Sequence, residues 1–111
     1  MAEAVGASGE VRFVISADDD ACVVRIIGVV DAATAPTVEE TLTDLIQSDS
    51  THLVLDLSEM EFIDSTGLGV LVIALKRVAE RDGSLLLRSP RSGARKVLSL
   101  TRLDQVFPIS D

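Results

Sequence analysis

The chain contains no tryptophan and no tyrosine, and three phenylalanines supply all of its aromatic content. With 47% apolar residues but only 3% aromatic ones, the core must be aliphatic, which suits helices packed on a sheet of valine, isoleucine and leucine. The single cysteine, Cys22, excludes an internal disulfide. It lies in the apolar run 22–27 and reads as a small core residue. The single histidine, His52, opens a predicted strand, and nothing places it beside a nucleophile as a catalytic triad would need. One histidine and one cysteine also form no metal-ligand cluster.

Long apolar runs are missing too. None approaches the roughly 18 residues of a membrane span, and the first residues have neither the basic nor the apolar region of a signal peptide. Residues 1–9 read as a flexible tail, and 10–111 as one domain with room for a real core. These features predict a soluble chain in the cytoplasm that does not bind membrane.

Positive charge is scarce in the first half. Residues 1–64 carry 14 acids against Arg12 and Arg25, whereas residues 65–111 carry eight bases against four acids, for a total of −8. Such a chain repels a phosphate backbone over much of its surface, so no nucleic-acid partner is expected. The basic half is a solvated helix face or a dock for an acidic protein.

Apolar periodicity orders the chain. Residues 11–16 and 22–27 read as two strands joined at Asp18-Asp19-Asp20, an N-terminal β-hairpin. The three aspartates lack the continuing ligand spacing of a calcium loop. Thr34-Ala35-Pro36 opens a helix, with Thr34 placed to cap it, and Val38, Leu42, Leu45 and Ile46 form its buried stripe. Residues 52–57 predict an inner parallel strand buried on both faces. A second helix carries Leu68, Leu71, Val72, Leu75, Val78 and Ala79 at helical spacing. A strand over 84–88, a short helix with Ala94, Val97 and Leu98, and a short final strand complete the pattern. The order β-β-α-β-α-β-α-β predicts an α/β fold: a mixed four- to five-stranded sheet with helices packed against it. Loops 28–36 and 60–67 both follow strands in the same sense and should share one face, where function gathers in such sheets.

The most distinctive stretch is Phe62-Ile63-Asp64-Ser65-Thr66-Gly67-Leu68-Gly69-Val70. Ser65 fits the cap of the second helix. Gly67 and Gly69 lie in its first turns, where each costs about 1 kcal/mol relative to alanine, which points to close backbone approach at one and helix–sheet packing at the other. A helix N-terminus also tolerates an anion. A phosphate on Ser65 would therefore change surface charge without changing fold. A phosphate-binding loop is excluded because no lysine precedes Lys76. A hydrolase elbow is excluded because residue 63 is isoleucine, not glycine. Ser65 lacks a visible base, and neither a cofactor loop nor a metal set is present, so no catalytic residue is assigned and no enzyme is expected.

This motif resembles the signature of STAS-domain proteins, specifically bacterial anti-sigma factor antagonists. Gly28-Val29-Val30-Asp31 with Ala35-Pro36, and Leu100-Thr101-Arg102-Leu103, resemble two further family segments. In the family, glutamate is usual where Val29 stands, and glycine where Arg102 stands. The resemblance implies a STAS fold over nearly the whole chain and a phospho-regulated binding module without a cofactor. The unphosphorylated form would bind an anti-sigma factor that is also a serine kinase of the GHKL type, releasing a sigma factor. Phosphorylation of Ser65 would end that binding, and a PP2C-type phosphatase would restore it. Asp31, Asp64, Ser65, Thr66, Gly67 and Leu68 are the implied partner-binding residues, in a chain that is monomeric when free. The alternative is a scaffold or accessory STAS domain in a sensory complex or membrane-transport assembly.

Overall fold

The computed structural model describes residues 4–8 and 11–111. Seven strands form one mixed sheet: β1 (Ala4–Ser8), β2 (Val11–Asp18), β3 (Ala21–Val30), β4 (His52–Asp56), β5 (Met60–Ile63), β6 (Ser84–Arg88) and β7 (Ile109–Ser110). The helices are α1 (Ala35–Gln47), α2 (Ser65–Ala79) and α3 (Ser92–Leu100), followed by a single 3-10 turn, Leu103–Gln105. The strand order is β1-β2-β3-β4-β6-β7, with β5 also paired to β3. The first two pairings are antiparallel and the rest parallel. The expected α/β class, hairpin and alternation are all present, but there are seven strands where four to five were expected.

Both additional strands have a physical cause. Ala4–Ser8 pairs with Ile15–Val11 of β2, in place of the flexible tail expected over residues 1–9. A strand edge presents a row of unpaired N–H and C=O groups, and backbone pairing to it needs no apolar pattern. The rest of that expectation, residues 1–3 and 9, lies outside the described residues. Met60–Ile63, expected as loop, is β5. β3 has ten residues and β4 five, so β4 covers only the first half of β3, Cys22 to Arg25. The second half, Gly28 to Val30, is left for β5. The handover falls at Gly28, whose φ of 103° suits glycine, and the register shifts between Gly28 and Val29.

The core lies between one sheet face and the helices. Phe13, Val24, Ile26, Leu53, Leu55, Leu85 and Leu87 are at most 1% exposed. Val38, Leu42 and Ile46 of α1 and Leu71, Ala74 and Val78 of α2 close over them, and the two helices pack side by side. Each such aliphatic side chain contributes about 1.5–3 kcal/mol on burial. The opposite sheet face is less covered. Val54 and Leu86 are only half-buried, so β4 is sealed on one face and not on both. Cys22 packs half-buried against the core, and burial pushes its thiol up despite a hydrogen bond with Ser50, which fits a structural role.

Candidate functional site

Two strand ends bring the motif residues together. Val30 of β3 and Ile63 of β5 are register partners, and the Asp64 N–H donates to the Val30 carbonyl at 3.2 Å. The loop that begins at Asp31 and the corner that begins at Asp64 therefore leave the sheet side by side, as their common polarity requires.

The Asp31 loop is held by its own side chain. Asp31 Oδ1 accepts from the N–H groups of Ala33 at 3.0 Å and Thr34 at 3.1 Å. The buried Thr34 hydroxyl donates to the Val29 carbonyl at 2.8 Å and accepts the Asp31 N–H at 3.0 Å. Thr34 thus ties the loop back to β3 and does not cap α1 with its side chain, contrary to expectation. Competition explains this: a threonine hydroxyl bonds whichever nearby backbone group the turn presents. Asp31 remains half-buried, and its Oδ2 has no protein partner among the described residues.

At the second corner the cap is Asp64. Its extended backbone precedes the helix, and its Oδ1 accepts the Gly67 N–H at 3.0 Å. Ser65, expected as the cap, is instead the first helical residue. Aspartate ranks with serine at caps, so the sequence offered two candidates one position apart. The result leaves Ser65 exposed, with its hydroxyl in no hydrogen bond among the described residues. Thr66 is exposed beside it.

The other two expected partner-binding residues face inward. Leu68 is 3% exposed, and Gly67 is buried against the sheet. A Cβ at Gly67 would lie 2.7 Å from Val30 Cγ1 and 2.8 Å from Ile63 Cγ1. These residues position the corner by packing, with little surface to offer a partner. Gly69 reverses the packing expectation: it is exposed, and a Cβ there meets nothing within 4 Å. Asp31, Asp64, Ser65 and Thr66 are the set that the fold gathers at the surface.

The remaining candidates lie elsewhere. His52 is exposed on β4, where its Nδ1 is 2.9 Å from Ser84 Oγ on the neighbouring strand. At the end of β4, Asp56 Oδ1 accepts from the Ser58 hydroxyl at 2.7 Å and the Ser58 N–H at 3.0 Å. Burial pushes the Asp56 carboxyl up, but the two Ser58 donors and the Arg25 guanidinium outweigh it and hold it below the ordinary range. This network shapes the turn between β4 and β5 that leads to the corner. Among the described residues, no helix is long and apolar enough to cross a membrane.

The geometry is therefore a packed corner presenting an uncommitted serine hydroxyl close to two carboxylates. The STAS domain model matches residues 12–111 of the chain. The chain belongs to the STAS-domain family. An anti-sigma-B factor antagonist of Listeria monocytogenes is 33% identical over 94 residues, which cover 85% of this chain and 82% of that protein. The crystal structure of an anti-sigma factor antagonist from Mycobacterium paratuberculosis superposes with a TM-score of 0.82 at 28% identity, covering 90% of this chain and 85% of that one. SpoIIAA shares the fold in both its unphosphorylated form, with a TM-score of 0.74 at 20% identity over 89% of this chain and 88% of that one, and its phosphorylated form, at 0.69 and 19% over 89% and 91%.

Proposed function

We propose that this STAS domain is an anti-sigma factor antagonist whose binding is switched off by phosphorylation of Ser65. Its partner would be an anti-sigma factor that is also a serine kinase of the GHKL type, in the bacterial cytoplasm. The observation that carries the reading is the free Ser65 hydroxyl at the first position of α2, exposed because Asp64 supplies the cap. The antagonist names of the relatives and the phosphorylated form of SpoIIAA point the same way.

The mechanism follows from charge. In the unphosphorylated state the partner packs on Thr66, Ser65 and the flanking carboxylates of Asp31 and Asp64, and the sigma factor is released. The kinase transfers the γ-phosphoryl group of ATP to Ser65 Oγ. The hydroxyl proton passes to a base of the kinase, and ADP leaves. The phosphate adds about −1.5 to −2 charge to a corner that already holds two carboxylates. The open N–H groups of the first turn of α2 accommodate it locally, so the fold persists while the binding surface becomes more negative and changes shape. A PP2C-type phosphatase hydrolyses the ester and resets the surface. The domain itself contributes no catalysis.

Incubation with the cognate kinase and ATP should add one phosphate, located on Ser65 by mass spectrometry and absent in Ser65→Ala. A phosphate found on another residue would sink the assignment. Ser65→Asp should fold normally yet bind the kinase at least about tenfold more weakly, and an unchanged Kd would refute the charge switch.

A further inference from the structure

A groove of about 550 Å³ lies between β5 and the start of α3. Its apolar side is built by Met60, Phe62 and Ile63 from the strand and by Ala94 and Val97 from the helix. Phe62 is 53% exposed, an unusual exposure for one of only three aromatic residues in the chain. Gly93 lines the groove, is exposed, and has open space where a Cβ would stand. Gly93, Val97 and Leu100 follow the i, i+4, i+7 spacing of one helix face, and Leu100 is 74% exposed. Exposed apolar side chains such as Phe62 and Leu100 beside a concavity mark a candidate interaction surface.

The charge beside the groove is one-sided. Residues 88–102 hold Arg88, Arg91, Arg95, Lys96 and Arg102 and no acid, in a chain of net charge −8. Arg95 is taken by Asp111. Arg91, on the groove itself, and Lys96 and Arg102 have no acidic partner among the described residues. Glu61 is the one acid that lines the groove.

We infer that this groove is a second docking surface, for an amphipathic helix of a protein partner with an acidic polar face. The apolar face of the helix seats on Phe62, Val97 and Leu100, and its acids meet Arg91, Lys96 and Arg102, the arrangement of a helix laid in a hydrophobic groove. The concave shape favours a protein segment over a flat anionic surface. The inference is independent of Ser65: it rests on groove shape and charge, and its failure would leave the phosphorylation reading standing.

The test uses the full chain, isotopically labelled, and two synthetic amphipathic peptides with identical leucine spacing, one with glutamate and one with lysine at every polar position. The glutamate peptide should shift the amide resonances of Phe62, Gly93, Val97 and Leu100, with an affinity that falls about tenfold between low and high salt. The lysine peptide should leave them in place. Arg91→Glu combined with Lys96→Glu should weaken the glutamate peptide by about tenfold or more. Gly93→Leu should block it while the dispersion of the spectrum shows an intact fold. Equal binding of both peptides, shifts mapping to another face, concentration-dependent shifts without peptide (a second copy in the groove) or stronger shifts with anionic vesicles would each overturn the proposal.

Discussion

Asp64 Oδ1 stands 3.0 Å from the backbone nitrogen of Gly67 and accepts its N–H, so the carboxylate, and not the neighbouring hydroxyl, closes the start of α2. The two side chains thereby divide two tasks. Asp64 stabilises the helix end, and Ser65 is left without a structural duty. Asp64→Ala should lower the unfolding free energy by about 1 kcal/mol, the usual cost of a lost cap, and Asp64→Asn should retain most of it. Ser65→Ala should stay within about 0.5 kcal/mol of the parent, as surface substitutions usually do. Urea midpoints at constant slope measure all three. A larger loss at Ser65 than at Asp64 would return the cap to the serine.

The two glycines of the motif should respond in opposite directions to the same substitution. At Gly67 an added methyl meets Val30 Cγ1 at 2.7 Å, Ile63 Cγ1 at 2.8 Å and the Val30 carbonyl at 3.0 Å. Relieving that contact means moving α2 away from β3, so Gly67→Ala should cost about 1–3 kcal/mol. At Gly69 nothing lies within 4 Å, and the gain in helix propensity makes Gly69→Ala stabilising by up to about 1 kcal/mol. Thermal unfolding of the two variants decides it, and equal shifts of the same sign would refute the packing account.

These glycines also show how far the sequence could be read. Their cost to the helix was visible in composition alone, and close approach was a correct reason for Gly67. For Gly69 the packing reason fails, because distance to the sheet is a three-dimensional fact that no spacing encodes. The strand alternation, the buried stripe of α1, and the shared end of the Asp31 and Ser65 loops follow from local periodicity and strand polarity; the stripe of α2 follows only in part, since Ala79 is exposed while Val70 and Ala74, outside the expected set, are buried. β5 was hidden for another reason. Four residues with a glutamate at the second position carry almost no periodic signal, and the strand exists because β3 outruns β4. The exposure of Ser65 was equally hidden, since Asp64 and Ser65 are both good caps and the choice depends on where the backbone turns.

Arg102 adopts φ 62° and ψ 16°, the left-handed region, just after α3. A side chain there costs roughly 1–2 kcal/mol relative to the right-handed form, a penalty that glycine escapes. Glycine, the residue that the resemblance leads one to expect here, would adopt this backbone without that penalty. Arg102→Gly should raise the unfolding free energy by about 0.5–1 kcal/mol, since the greater freedom of glycine in the unfolded chain cancels part of the gain. A destabilised variant would mean that the arginine makes compensating interactions on the folded surface.

Asp56 gives the fold an acid sensitivity of defined sign. Its carboxyl lies below the ordinary value of 3.8 in the native state, held there by Ser58 and Arg25 against the opposing effect of burial. The unfolded chain therefore takes up the proton first as pH falls. The stabilisation is complete above 3.8, erodes as the pH drops below that, and is gone once the native carboxyl is itself protonated. Most of it comes from the Ser58 donors at 2.7 and 3.0 Å, because Arg25 approaches only to 3.5 Å and is about half-exposed to screening solvent. Asp56→Asn should cost about 1–3 kcal/mol at neutral pH, the range for losing charge-assisted hydrogen bonds at a buried site, and should flatten the pH dependence below 3.8. Ser58→Ala should produce a smaller change of the same kind, and raising the salt should alter neither greatly. Denaturant titrations of the three proteins from neutral to acid pH provide the measurement. Parallel stability curves for the parent and Asp56→Asn through the acid range would show that this carboxylate does not carry the acid response.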